Sequence, residues 1–134
     1  EVILKDKPGF LFLHCDQIVH SGHTSGYGSA PYLKTVDEVD ALIGDLLNAL
    51  GEAGIREQTV VLVVADHGGK GKGHGGESME EIEVPWFISG PGIRRGHEIK
   101  TPVNVYDTAA TLARLFDVTP PSGWIARPVS EAFE

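Results

Sequence analysis

Asp16, His20 and His23 follow the first apolar run of the chain, and Asp66, His67 and His74 follow the strongest one. A neutral imidazole or a carboxylate is a good ligand for zinc, and carboxylates also suit magnesium or manganese. Two aspartates and several histidines suffice for a pair of adjacent metals, whose spacing suits an in-line displacement at phosphorus. A single Asp or His in such a place is ordinarily a cap, a turn former or a solvated side chain. The joint pattern is what points to a metal site. Asp66-His67 ends a fully apolar run, and the glycines after it let backbone and ligands approach closely.

The glycine-rich segment 68–76 admits other readings. Gly71, Gly73 and Gly76 match a dinucleotide fingerprint in spacing, but a helix should open at once and Pro85 comes too soon for a good one. Gly-Lys followed by Ser or Thr is missing, so a phosphate-cradling P-loop has no support. A flexible loop that carries His74 back toward Asp66 accounts for the segment better. His14 is expected to be packed or hydrogen-bonded, His97 to sit in a turn, and Cys15 to be a small buried hydrophobe. Trp86 and Trp124 read as core.

The elements that must position these residues follow from periodicity. Residues 10–14 read as a buried strand and residues 16–31 as a loop. Thr35, with Glu38 at capping-box spacing, opens a helix whose stripe is Val36, Val39, Ile43, Leu46 and Leu50, and Gly51 and Gly54 end it. Residues 59–65 form the clearest strand, apolar and β-branched as in the centre of a parallel sheet. Residues 86–89 form another. Asn104 caps a helix over 105–116 with Ala109, Leu112 and Phe116 facing inward. The tail beyond Pro120-Pro121 is irregular, with Trp124 and Phe133 as anchors. The expected fold class is α/β, with a mostly parallel sheet and flanking helices.

Length and composition bound the rest. The 134 residues predict a single domain over 1–134, and 19 acidic against 11 basic residues give a net charge of −8. That balance argues against a nucleic-acid polymer as partner, which would need a basic face. No apolar run approaches the roughly 20 residues needed for a membrane span, and no signal-peptide pattern opens the chain. A lone cysteine, Cys15, cannot form an internal disulfide.

Seven segments together resemble the alkaline phosphatase superfamily, in particular its type I phosphodiesterase/nucleotide pyrophosphatase and sulfatase-like members. They are Gly22-His23-Thr24-Ser25-Gly26, Val39-Asp40-Ala41-Leu42-Ile43-Gly44, Ala65-Asp66-His67-Gly68-Gly69, Gly73-His74-Gly75-Gly76, Val84-Pro85-Trp86, Gly90-Pro91-Gly92-Ile93 and Asp107-Thr108-Ala109-Ala110-Thr111. The resemblance implies the C-terminal part of an alkaline-phosphatase-like fold and two divalent metals, zinc foremost with manganese the alternative. It implies that Asp66 and His67 serve one metal, and that His74 serves the other with ligands from the 16–23 segment. Val19 stands where the family motif has an aspartate four residues before His23, and valine cannot bind metal. Asp16 is then expected to substitute, with His23 as its partner or His20 as the alternative.

The resemblance further implies a phosphate- or sulfate-ester substrate, with a metal-dependent phosphodiesterase as the first expectation and a sulfatase-like or phosphomutase activity as alternatives. The nucleophile of such proteins comes from an N-terminal half with no counterpart here, so the isolated chain is expected to lack turnover. A reading of another class is a non-catalytic metal-binding or assembly module, with two copies pairing through an exposed sheet edge. Many relatives are exported, which implies a periplasmic or extracellular setting.

Overall fold

A single helical turn, α1 (Val2–Lys5), begins the chain in the computed structural model, which describes residues 1–134. Contacts divide the chain into two units, Glu1–Thr59 with His67–Val84, and Val60–Asp66 with Pro85–Glu134.

In the first unit, residues 10–14 are not the expected strand. They have no regular structure, and Phe10, Leu11, Phe12 and Leu13 are exposed. A strand exists only by backbone pairing in a sheet, and the sheet consists of two other segments, residues 61–64 and 86–89. His14 and Cys15 are exposed too, so neither is packed away as the sequence suggested.

The expected 16–31 loop instead contains a helix, α2 (Gln17–Ser25), with Asp16 at its N-cap. Its glycine and polar residues hide it from a periodicity reading. Packing against the next helix, α3 (Ala30–Glu52), supports it. α3 starts at Ser29, whose hydroxyl accepts the Tyr32 N–H at 3.4 Å, with a proline in the first turn. Thr35 lies inside the helix and donates its hydroxyl to the Pro31 carbonyl at 3.1 Å, so it caps nothing. The expected stripe is present: Val39 and Leu50 are buried, and Val36, Ile43 and Leu46 half-buried.

Gly51 is still helical, and the stop is Gly54 at φ +70°. The Gly54 N–H donates to Gly51 and the Ile55 N–H to Leu50, which is the Schellman pattern that favours glycine at this position. A 3₁₀ turn (Arg56–Gln58) follows.

The second unit holds the sheet. β1 (Val61–Val64) is shorter than the expected 59–65 strand and pairs antiparallel with β2 (Trp86–Ser89), in the register Val61 to Ser89 and Val64 to Trp86. The mostly parallel sheet is therefore corrected for these two strands. An apolar, β-branched run suits either direction. A parallel pair needs a crossover helix, and the connection between these strands carries only a one-turn helix, α4 (Met79–Ile82), in the first unit.

α5 (Asp107–Leu115) turns a different face inward from the one expected. Asp107, Ala110 and Thr111 are buried, whereas Ala109 and Phe116 are exposed and Leu112 is half-buried. Polar residues win these places because the tail satisfies them. Thr111 is fully buried, donates to the Asp107 carbonyl at 2.8 Å and accepts the Val129 N–H at 2.9 Å. Asp107 accepts the Arg127 N–H at 2.9 Å and the Asn104 N–H at 2.9 Å. Burial pushes the Asp107 carboxyl up, but these bonds and the nearby Arg127 charge outweigh it and hold the group below its ordinary value.

The tail is tied again by an antiparallel bridge between Ile93 and Phe133, and the Phe133 ring lies 4.1 Å under the Arg114 guanidinium. Glu131 accepts the N–H groups of Lys100 and Thr101, each at 3.0 Å, and His97 at 3.0 Å. Those bonds, led by the two backbone donors, lower its carboxyl to about 2. Phe133 is thus an anchor as expected. Trp124 is exposed and is not one, whereas half-buried Trp86 donates its indole N–H to Thr108 at 3.0 Å.

Candidate functional site

The site builds up from the loop that follows β1. Gly68 and Gly69 donate their N–H groups to the carbonyls of Glu81 and Glu80, both at 2.8 Å, which lays the loop along α4. The start of α4 is itself held by Glu81. Its carboxylate accepts the Ser78 hydroxyl at 2.7 Å and the Gly76 N–H at 2.8 Å, and these bonds lower its pKa. Between those ends, Lys70 and Gly73 exchange backbone hydrogen bonds and close a tight turn with Gly71 at φ +58°. The Lys70 ammonium stands 3.6 Å from Glu80.

This loop meets α2. The His23 Nδ1 lies 2.9 Å from the Lys72 carbonyl oxygen, and the Tyr27 N–H donates to the Gly71 carbonyl at 2.7 Å. As a result three imidazoles come together. The His23 and His74 rings are 5.0 Å apart at 50°, and the His74 and His67 rings stack at 3.8 Å and 21°. The His67 Nδ1 faces the Gly68 carbonyl at 2.7 Å. A carbonyl can only accept, so Nδ1 carries the proton in both His23 and His67, and the lone pair of each neutral ring is on Nε2.

Asp16 and His20 lie elsewhere in the same unit. They are one helical turn apart and line an open groove of about 470 Å³ with Thr24, Thr35 and Glu38. Asp16 stands at the N-cap of α2 and His23 in its last turn, and the groove that Asp16 and His20 line does not include His23. Asp66 belongs to the second unit and is exposed just beyond β1. Sequence reasoning therefore found the three histidines that meet, and did not foresee that Asp16 and His20 lie apart from them.

The donor types and tautomers suit a divalent metal, but the arrangement does not. No three His, Cys, Asp or Glu side chains form a group able to hold a metal ion. Stacked rings place their lone pairs in neighbouring parallel planes, whereas ligands of one ion must aim at a shared point. His67 and His74 would have to separate before both could bind the same ion. With the stack intact, Asp66→Ala and His74→Ala are expected to leave the metal content of the purified chain unchanged. Elemental analysis checks this, and a drop in either variant would show that the loop opens around an ion.

One structural residue of the site was missed in the sequence. The Tyr27 ring occupies the space that a side chain at Gly22 or Gly69 would need. The available signal was a pair of distant glycines flanking an aromatic residue, which single-sequence periodicity does not register.

The sulfatase family model matches residues 4–118. The chain is similar to arylsulfatase K of Danio rerio, 34% identical over 97 residues, covering 69% of this chain and 18% of that protein. It is similar to arylsulfatase A of Homo sapiens, 28% identical over 133 residues, covering 81% and 26%. A shorter match, 30% identical over 63 residues and covering 47% and 7%, is to ectonucleotide pyrophosphatase/phosphodiesterase family member 1 of Mus musculus. The chain thus spans about a fifth of the arylsulfatase K sequence it matches, 18% of the whole. No solved structure matches it.

Proposed function

Because the chain belongs to the sulfatase family, within the alkaline phosphatase superfamily, we propose that it supplies the imidazole-bearing part of an enzyme that hydrolyses sulfate esters. The observation that carries this reading is the meeting of His23, His74 and His67 within the matched residues. A sulfate monoester spreads one negative charge over three oxygens, and cleavage of its S–O bond to carbon's oxygen leaves charge on the departing atom. The Nδ1–H of His23 and of His67 is already given to a backbone carbonyl, so only a protonated Nε2 of these rings, or a ring N–H of His74, can hydrogen-bond a sulfate oxygen or deliver a proton to the leaving oxygen.

The Nδ1 contacts of His23 and His67 to backbone carbonyls hold both rings in one orientation for that task. Lys72 on the same loop adds positive charge to a chain that is acidic as a whole, while the Lys70 ammonium faces Glu80.

A phosphodiester substrate is the second reading, favoured by the 63-residue match to a phosphodiesterase-family protein. The two readings separate in one assay on the full-length natural protein. Hydrolysis of an aryl sulfate is expected to exceed that of an aryl phosphodiester, and His74→Ala is expected to lower it roughly 100-fold, the scale of one lost acid–base group. Preference for the phosphodiester would overturn the sulfatase reading, and an unaffected His74→Ala rate would remove the cluster from the chemistry.

A further inference from the structure

We propose that Tyr27 is the positioning residue that docks His23 of α2 onto the glycine loop, and so assembles the three-imidazole group. The inference rests on the reading of that group as the anion-binding part of the site.

Tyr27 reaches both halves of the group. Its backbone N–H donates to the Gly71 carbonyl at 2.7 Å, next to the Lys72 carbonyl that faces His23. Its ring fills a slot made by two missing side chains. A methyl at Gly22, on the same helix as His23, would fall 2.6 Å from the ring, and one at Gly69, two residues after His67, would overlap it. The ring meets His23 edge-on, 6.2 Å between centroids at 81°, and leans on Tyr32 of α3 at 5.3 Å. Its hydroxyl oxygen is buried.

One side chain therefore contacts α2 at Gly22 and His23, α3 at Tyr32, and the loop at Gly69. Gly22 and Gly69 leave space that the flat ring of Tyr27 occupies. With the ring in place, α2 and the loop are held at one separation, and His23 lies within ring contact of His74. Without it, the links at Gly71 and Lys72 remain, but the ring that lies nearest to both Gly22 and Gly69 is gone from between them. Tyr27 meets His23 edge-on and His23 in turn meets His74, so the effect of Tyr27 on His74 passes through His23 and the loop backbone.

The test compares Tyr27→Phe, Tyr27→Leu and Tyr27→Ala in the full chain by NMR of the histidine ring protons, with inorganic sulfate as the titrated probe and circular dichroism as the check on folding. Phenylalanine keeps the flat ring and is expected to keep the His23, His67 and His74 resonances and the sulfate affinity within about twofold. Alanine and leucine are expected to move the His23 and His74 resonances and to weaken sulfate binding roughly tenfold, about 1.4 kcal/mol, with helix content retained. Should the alanine variant not fold, the leucine variant decides on the same readout. Unmoved histidine resonances in a folded alanine or leucine variant would overturn the positioning role. Resonances that move while the parent chain binds no sulfate would keep that role and overturn the anion-binding reading instead.

Discussion

Asp107→Ala is expected to destabilise the second unit by about 3 kcal/mol, since it removes a buried carboxylate that accepts three part-buried hydrogen bonds, and bonds to a charged group contribute about 1.5–3 kcal/mol each. The carboxylate accepts from the Asn104 N–H, the Asn104 side chain and the Arg127 N–H, and so joins the start of α5 to the tail. Asp107→Asn keeps one accepting oxygen and should cost less than half as much. Urea unfolding followed by Trp86 fluorescence checks the order, and equal losses in the two variants would show that the bonds are not what holds the tail.

The same group sets an acid response. Its folded pKa lies below its ordinary value, so the carboxylate's contribution is complete above the unfolded value near 4 and is lost as pH falls through the folded one. Glu131, lowered to about 2, adds a loss that runs from about pH 4.5 down to that value. The Asp107→Ala variant should therefore show a shallower decline in stability below pH 4 than the parent chain.

Gly68→Ala is expected to disrupt the first unit as strongly, by about 3 kcal/mol, because overpacking against backbone has no side chain to displace. A methyl at this position would overlap the Glu80 carbonyl oxygen, while the Gly68 N–H is already committed to Glu81 at 2.8 Å. The loop can relieve the clash only by leaving α4, which carries His67 and His74 with it. Thermal unfolding would report the loss, and the His67–His74 ring contact should disappear in the same variant. A variant as stable as the parent, with the stacked rings intact, would mean that the loop does not rest on α4.

These two positions show why the sequence was legible in some places and not in others. The α3 stripe was readable because five apolar residues at three- and four-residue spacing carry their own period. The β1 and β2 runs were readable as strands for a similar reason, although their direction was not. Asp107 looked like a first-turn acid and Thr111 like a helix residue of no consequence. Both became interior because segment 127–129, distant in sequence, supplies their hydrogen-bond partners. α2 escaped notice because its glycine, a poor helix former, is there to admit the Tyr27 ring.

Among the six ligand-type residues, the sequence determined their identity and their clustering beside the apolar runs. Family membership was likewise legible in the Asp-His-Gly and Gly-His-Gly segments, although they favoured the phosphodiesterase branch over the sulfatase one. Tertiary structure alone decided that His23, His67 and His74 meet, that Asp16 and His20 line a separate groove, and that two rings stack instead of aiming at one point. Periodicity is a property of neighbours along the chain, so it reports helices and strands. Which side chains meet depends on contacts between distant segments, and here on one aromatic ring seated between two glycines.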